Sequence, residues 1–207
     1  ILLVMGTVVS IFFIPWAILK VWLTPLPNTV QEQVDKTVGY GFDGVIVYVQ
    51  QGDKEPEYYA SGLKSREGNV PADPHSLFKI ASIYKLYNAV SVTKMVNDGK
   101  LSLDKTLAYY MPELKDRIEY ADQITLRMLV MHRSGIPNYT SIDNYWAHPK
   151  ESNAEKLNLV LDLKAKFKPD KRYKYSNTNY LLLGEIMDRV LGYSHFDFIQ
   201  ERILNRL

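Results

Sequence analysis

Cysteine is absent from the 207 residues. That removes a thiol nucleophile, disulfide bonds and thiolate metal sites, and it leaves the redox compartment open. An excess of one charge is also missing. The 25 Lys and Arg nearly balance 23 Asp and Glu, for a formal net charge of +2, too little for a dedicated nucleic-acid binder. The four histidines, His75, His132, His148 and His195, show no metal-ligand spacing, so neither a catalytic metal nor a cofactor is expected. Internal repeats and low-complexity tracts are absent too. What is present is a chain 46% apolar, which excludes a disordered one. It is long enough for one domain with a real core and an appendage.

The appendage is residues 1–23, ILLVMGTVVSIFFIPWAILKVWL, with Lys20 as its one charge. As a helix it is long enough to cross a hydrocarbon core of about 30 Å. Pro15 is tolerated in membrane helices, and Trp16, Trp22 and Lys20 suit one interface. A cleaved signal peptide is the alternative, although no small-x-small cleavage site follows. The expected organisation is a membrane anchor or signal segment over 1–24, a linker and short helix over 25–42, and the folded domain over 43–207. That domain is then expected outside the cytoplasm, anchored at the membrane, or secreted if the segment is cleaved. The first residue is not methionine, and the amphipathic pattern of 195–207 runs to Leu207 without a stop signal. The chain therefore reads as a piece of a longer one.

Pro25 and Pro27 close the apolar segment, and Asn28 is placed to cap a helix running to about Val38. GVIVYVQ (44–50) and PEYYASG (56–62) read as an antiparallel hairpin, followed by a polar loop over 63–77. Later helices are expected over about 125–133, over 153–165 and from about Thr178 to Leu191.

The stretch FKIASIYKLYNAVSVTKMVNDG (78–99) organises the rest. Apolar residues recur at helical spacing at Leu86, Ala89, Val90, Val92, Met95 and Val96, and Gly99 supplies the stop. Ser82 then falls in the first turn of a largely buried helix, with Lys85 one turn along on the same face. Ser-x-x-Lys occurs five times, at Ser61, Ser76, Ser82, Ser91 and Ser102, so the motif alone selects nothing. Ser91 lies mid-helix, where no backbone N–H is free to hold an oxyanion. Only Ser82 combines a helix start with a helically spaced lysine. There the positive end of the dipole and burial both disfavour a charged ammonium, which turns the amine toward a usable base. The plainer alternative is a capping serine beside a solvated lysine.

The second signal is Tyr175-Ser176-Asn177, the one Tyr-x-Asn in a chain with 15 tyrosines. A phenol beside an amine can share its proton and act as general acid and base, and an amide can hold a substrate carbonyl. The alternative is a turn in which Asn177 caps the next helix.

The order of these phrases resembles the serine beta-lactamase-like hydrolases, a group including class C beta-lactamases, DD-peptidases, penicillin-binding proteins and esterases. A hairpin leads to LFKIASIYK, then to a helix ending Gly99-Lys100-Leu101-Ser102-Leu103-Asp104. LVMHRSGIPNY follows, with Arg133 where Thr is usual, then KPDKRYKYSNTNYLLLGEI, with Asp170 where Gly is usual. The resemblance covers about residues 30–207. It implies an α/β (α+β) sandwich, an antiparallel sheet flanked by helices with an inserted helical region. It also implies acyl transfer through an acyl-Ser82 intermediate, with Lys85 as general base working with Tyr175, and with Asn177 binding the substrate amide. His132 would fix a loop rather than take part. The substrate would be a peptidoglycan-type peptide, a beta-lactam or an ester, which the residues do not separate.

The family's Lys-Thr-Gly or His-x-Gly strand, which donates a second oxyanion N–H, has no counterpart in the sequence. The 207-residue chain by itself is therefore expected to lack the final strands and measurable activity. A membrane-anchored penicillin-binding sensor or non-catalytic binding module, and a pseudoenzyme keeping only the shape, stand as rivals. Residues 164–174 hold six basic residues and one acid, either a solvated face or an attraction for anionic polymers and headgroups.

Overall fold

The computed structural model describes residue 10 and residues 12–206. The chain divides into two compact units, residues 1–79 and 80–207. The membrane-spanning expectation falls partly on residues 1–9 and 11, which lie outside the described residues. Helix α1, Trp16–Leu23, follows Pro15. Among the described residues no helix is long and apolar enough to cross a membrane.

In the first unit, α2 (Val30–Val38) starts at Thr29, not Asn28. Thr29 accepts the Glu32 N–H at 3.2 Å, and the Glu32 carboxylate reaches back to the Thr29 N–H at 3.3 Å. This reciprocal box satisfies two free N–H groups, more than a lone Asn28 side chain could. The helix packs on strands β1 (Gly44–Val49) and β2 (Glu57–Ser65) through buried Val34. The hairpin forms as expected, antiparallel with Val45 opposite Ser61 and Val49 opposite Glu57. A short third strand, β3 (Val70–Pro71), pairs antiparallel with β2 inside the stretch read as loop. Two residues are too few to show a period of two, and Pro71 argued against a strand. Proline is acceptable there because β3 lies at the edge of the sheet.

The second unit is helical. A 3₁₀ turn, Ala81–Ile83, runs into α3 (Tyr84–Asn97). Short helices α4 (Leu107–Tyr110) and α5 (Leu126–Val130) are capped by Thr106 and Thr125. Helix α6 (Asn153–Asn158) is shorter than the 153–165 read from periodicity. Its pattern continues into a turn that reverses at Asp162, where φ is +62°. Helix α7 (Asn177–Leu191) ends at Gly192 in the left-handed region, and α8 (His195–Arg202) starts on the Ser194 cap. Helix α3 packs against α7 and α8, and α5 and α6 pack against α7. The core between them is apolar: Met95, Leu107, Ile124, Leu129, Leu182 and Ile186 are completely buried. A fully buried side chain of this kind contributes roughly 1.5–3 kcal/mol.

The buried face of α3 differs from the expected one. Asn88, Ser91, Val92 and Met95 point inward, whereas Leu86 is 63% exposed and Val90 39%. The helix is apolar on two sides, and hydrophobic spacing alone does not say which side meets the core. The inward stripe is half polar.

A loop over 165–175 is stitched beside residues 132–135. Lys166 N–H donates to the Gly135 carbonyl, Asp170 N–H to Arg133 and Lys174 N–H to His132, each at 2.9 Å. Gly135 has φ +82°, and a Cβ there would sit 2.2 Å from the Phe167 carbonyl oxygen. Gly135→Ala should therefore cost about 1–3 kcal/mol from backbone strain, before the clash is relieved. A denaturant midpoint matching wild type would show that this approach is looser than described.

Candidate active site

Ser82 stands at the centre of the 3₁₀ turn that opens α3, and its preceding residue, Ala81, has φ +45°. A non-glycine residue in that region is strained, a cost that persists only where surrounding structure over-determines it. The turn exposes Ser82 and leaves its N–H at a helix start, where intrahelical acceptors are lacking. Lys85, one turn on, donates to Ser82 Oγ at 3.1 Å.

Tyr175 and Asn177 approach from the other side, held by the loop before α7 and by its first residue. The Tyr175 hydroxyl lies 2.8 Å from Ser82 Oγ and donates to Asn177 Oδ1 at 3.1 Å. With its proton directed at Asn177, the phenol oxygen faces the Ser82 hydroxyl with a lone pair. The hydrogen bonds then run one way, from Lys85 to Ser82 to Tyr175 to Asn177. All four residues named from the sequence are thus brought into one cluster, although 93 positions separate Ser82 from Tyr175. Burial pushes the Tyr175 phenol up, but hydrogen bonds from Lys85 and Ser82 and the Lys85 charge outweigh it, so its pKa is lowered. The Lys85 ammonium also sits 5.1 Å from the centre of the Tyr175 ring.

The helix start that carries Asn177 is fixed by side chains from 134–141. Asn138 Oδ1 accepts the Asn177 N–H at 2.9 Å, and the Asn177 amide donates to Thr140 Oγ1 at 2.9 Å. Thr178 donates to the Pro137 carbonyl at 2.7 Å, and Ser134 to Asn179 Oδ1 at 2.7 Å. Ser176 is the N-cap of α7, but its hydroxyl donates to Pro137 at 3.3 Å instead of capping. Asn177 therefore does not serve as the cap, the alternative open from the sequence. These supports were missed there; the signal for them was the Ser-Gly-Ile-Pro-Asn phrase itself, rich in turn formers and short polar side chains.

His132 is buried at the back of the cluster, with φ +55°. Its Nδ1 accepts the Ser176 N–H at 3.2 Å and faces the Asn179 amide at 3.3 Å. Burial, then the Lys85 charge, lowers its pKa. A neutral ring with a bare Nδ1 is what two donors require. Because the folded value lies below the ordinary one, near 6.5, the stability tied to neutral His132 is fully present above about pH 6.5. It is lost as the pH falls from there toward the lowered value. Comparing urea midpoints at pH 7.5 and 5.5 checks this: His132→Gln should lose less stability on acidification than wild type, and equal losses would contradict it.

Arg133 and Asp170, the two departures from the family phrases, are partners. The Arg133 guanidinium is hydrogen-bonded and ion-paired to the Asp170 carboxylate. Asp170 also has φ +62°, where glycine would be usual. Being partly solvated, the pair contributes about 0–1 kcal/mol. Its place is across the stitched loop, away from the four clustered residues' own contacts. Among the described residues no group of His, Asp and Glu could hold a metal ion.

The beta-lactamase family model matches residues 26–207. The D-amino acid amidase from Ochrobactrum anthropi SV3, solved with L-phenylalanine, superposes with a TM-score of 0.73 at 28% identity, over 86% of this chain and 48% of the amidase. Penicillin-binding protein 4* of Bacillus subtilis (strain 168) is 26% identical over 166 residues, 78% of this chain and 36% of that protein. Protein flp of Staphylococcus aureus (strain N315) is 24% identical over 190 residues, 89% of this chain and 38% of that protein. The chain spans about half the length of the amidase, and less of the other two. Its fold is the part of the beta-lactamase/transpeptidase-like fold carrying these helices and a three-stranded antiparallel sheet. With a match that takes in nearly everything after the apolar segment, the chain belongs to the beta-lactamase family.

Proposed function

We propose that the whole protein is a serine hydrolase that transfers an acyl group through an ester on Ser82, with an amide, peptide or ester of the D-amino acid and penicillin-binding class as substrate. The observation that carries this is the one-way hydrogen-bond chain from Lys85 through Ser82 and Tyr175 to Asn177. Lys85 and Tyr175 act as a coupled pair that has lost one proton between them: in the resting form Tyr175 keeps its proton toward Asn177, and its transfer to Lys85 leaves the phenolate that takes the Ser82 proton. Ser82 Oγ attacks the substrate carbonyl carbon and its proton passes to that pair. The C–N or C–O bond then breaks, and Tyr175 delivers the proton to the leaving group. Water adds to the acyl-Ser82 ester and gives its proton to the pair; the C–O bond to Ser82 then breaks, the pair returns the proton to Ser82 Oγ, and the acid leaves. The Ser82 N–H is one donor for the oxyanion, and the Asn177 amide exchanges its bond to Tyr175 or Thr140 for one to a substrate amide.

The amidase and the penicillin-binding protein named above support the reading, the first an amide hydrolase by name and the second a binder of penicillin, and the substrate proposed here is drawn from that range. The apolar segment 1–23 supports a domain held at a membrane surface outside the cytoplasm. The test is steady-state hydrolysis of D-phenylalanine p-nitroanilide and p-nitrophenyl acetate by the full-length protein. Turnover of at least one of them should depend on Ser82. Turnover that persists in Ser82→Ala, or a single burst with no steady state, would remove the hydrolase reading.

A further inference from the structure

Ser82 and Lys85 sit on a segment with little of its own to hold it. Neither the 3₁₀ turn Ala81–Ile83 nor α3 is capped by a side chain at its start. Ile80, Ile83 and Leu86 are exposed there, and the left-handed Ala81 adds strain of about 1–3 kcal/mol.

Tyr84, between Ser82 and Lys85, supplies an inward tether. Its hydroxyl is hydrogen-bonded to His195 Nε2, and its ring stacks on that of Phe196 with centres 5.3 Å apart. His195 is 5% exposed, and its Nδ1 lies 2.7 Å from Asp188 Oδ1. The same carboxylate oxygen accepts the His195 backbone N–H. A carboxylate only accepts, so Nδ1 carries the imidazole proton and Nε2 is left as the acceptor. Burial, against a lowering hydrogen bond from Asn88, pushes the Tyr84 phenol up to about 12. Tyr84 therefore keeps its proton and donates it to Nε2. The imidazole has no room to slide away, because it packs on the α7 backbone at Gly184. A Cβ there would lie 2.9 Å from His195 Cε1.

The tether ends on the helix that begins with Asn177. Asp188 lies about three turns further along α7. Hydrogen bonds thus bridge the two halves of the active site in two places. One bridge runs through the Ser82 hydroxyl to Tyr175, the other through Tyr84, His195 and Asp188. The first does not last through the reaction proposed above. In the acyl-Ser82 ester, Oγ has no proton left to give Tyr175. The second bridge takes no part in the chemistry and stays closed.

We infer that Tyr84, His195 and Asp188 are positioning residues that keep Lys85 beside Tyr175 while Ser82 is acylated, so that they serve deacylation above all. The inference rests on the hydrolase reading for the acylated state. The tether itself rests on the contacts of its three residues.

The test uses two substitutions of one residue. His195→Gln puts an acceptor where Nε2 was and keeps the bond from Tyr84. His195→Asn puts a donor where Nδ1 was, keeps the bond to Asp188 and leaves Tyr84 without an acceptor. The full-length protein is given p-nitrophenyl acetate. Acylation is read from p-nitrophenol release, and deacylation from decay of the acetyl-enzyme by acid-quench mass spectrometry. Tyr84→Phe and His195→Asn should slow deacylation roughly three- to tenfold, the range of one net hydrogen bond, and acylation by less. His195→Gln should deacylate at close to the wild-type rate. Equal losses in both steps, or in His195→Gln and His195→Asn alike, overturn the inference.

A second measurement needs no turnover. In the Ser82→Ala protein the first bridge is open. Against the upward push of burial, Lys85 lowers the Tyr175 phenol, so the Tyr175 titration reports how near Lys85 stays. Followed by NMR of ¹³Cζ-labelled tyrosine in that background, it should move up toward the ordinary value in Tyr84→Phe and His195→Asn. In His195→Gln it should not move. The same titration in every variant overturns the tether. A wild-type protein that forms no acetyl-enzyme, while these titrations differ as expected, loses the hydrolase reading and keeps the tether.

Discussion

Ser82→Ala should abolish covalent labelling of the full-length protein by a fluorophosphonate or penicillin probe, while Ser91→Ala leaves labelling at the wild-type level. Both serines precede a lysine by three positions. Ser82 is exposed in a helix-opening turn, within hydrogen-bond reach of both Lys85 and Tyr175. Ser91 is completely buried in the middle of α3, and its Oγ has no hydrogen-bond partner. No probe can reach it, and the surrounding helix leaves no N–H free to stabilise an oxyanion. Removing its hydroxyl deletes an unsatisfied polar atom, which should be neutral or slightly stabilising. Labelling that persists in Ser82→Ala would mean that a different side chain is the nucleophile.

Lys85→Arg should stop acylation, and Tyr175→Phe should slow it by roughly 10²–10⁴-fold, the usual range for lost acid–base catalysis. The two effects differ because the two residues give different things. Arginine keeps the charge beside Tyr175 but cannot release a proton at working pH, and its planar head does not reproduce the single Nζ contact with Ser82 at 3.1 Å. Phenylalanine keeps the ring packed 4.6 Å from that of His132. It removes only the hydroxyl that takes the Ser82 proton and passes it on. The fold should survive both changes, so pre-steady-state acylation rates can be read directly. Wild-type rates in both variants would remove the proposed proton path.

The local part of this site was legible in the sequence. Ser82 and Lys85 are set by one helical turn, and Tyr175 and Asn177 by a loop leading into α7. Short-range spacing carries that kind of information. The hairpin, too, was legible from alternating β-branched and aromatic residues between turn formers. What stayed hidden depends on partners far away in the chain. Leu86 and Val90 have the spacing of a core face, yet the core chose the half-polar side of α3, because α7 and α8 pack there. Arg133 and Asp170 stood out as two separate departures from a family phrase. Only the stitched loop makes them one ion pair. The Tyr84–His195–Asp188 chain joins residues 111 positions apart at Tyr84 and His195. No periodicity of either segment points to that pairing. The Thr29 box was missed for a simpler reason. Asn28 and Thr29 are adjacent cap formers, and the Glu32 three places after Thr29 was the signal that separates them.

The central claim is an acyl ester on Ser82. Its most direct measurement is tandem mass spectrometry of the full-length protein, acid-quenched during turnover of a penicillin or an activated D-amino acid ester. The account predicts a mass increase equal to the acyl group on the peptide containing Ser82, absent in Ser82→Ala and slower to appear in Tyr175→Phe. An adduct on any other residue, or turnover with no adduct trapped on Ser82, would contradict it.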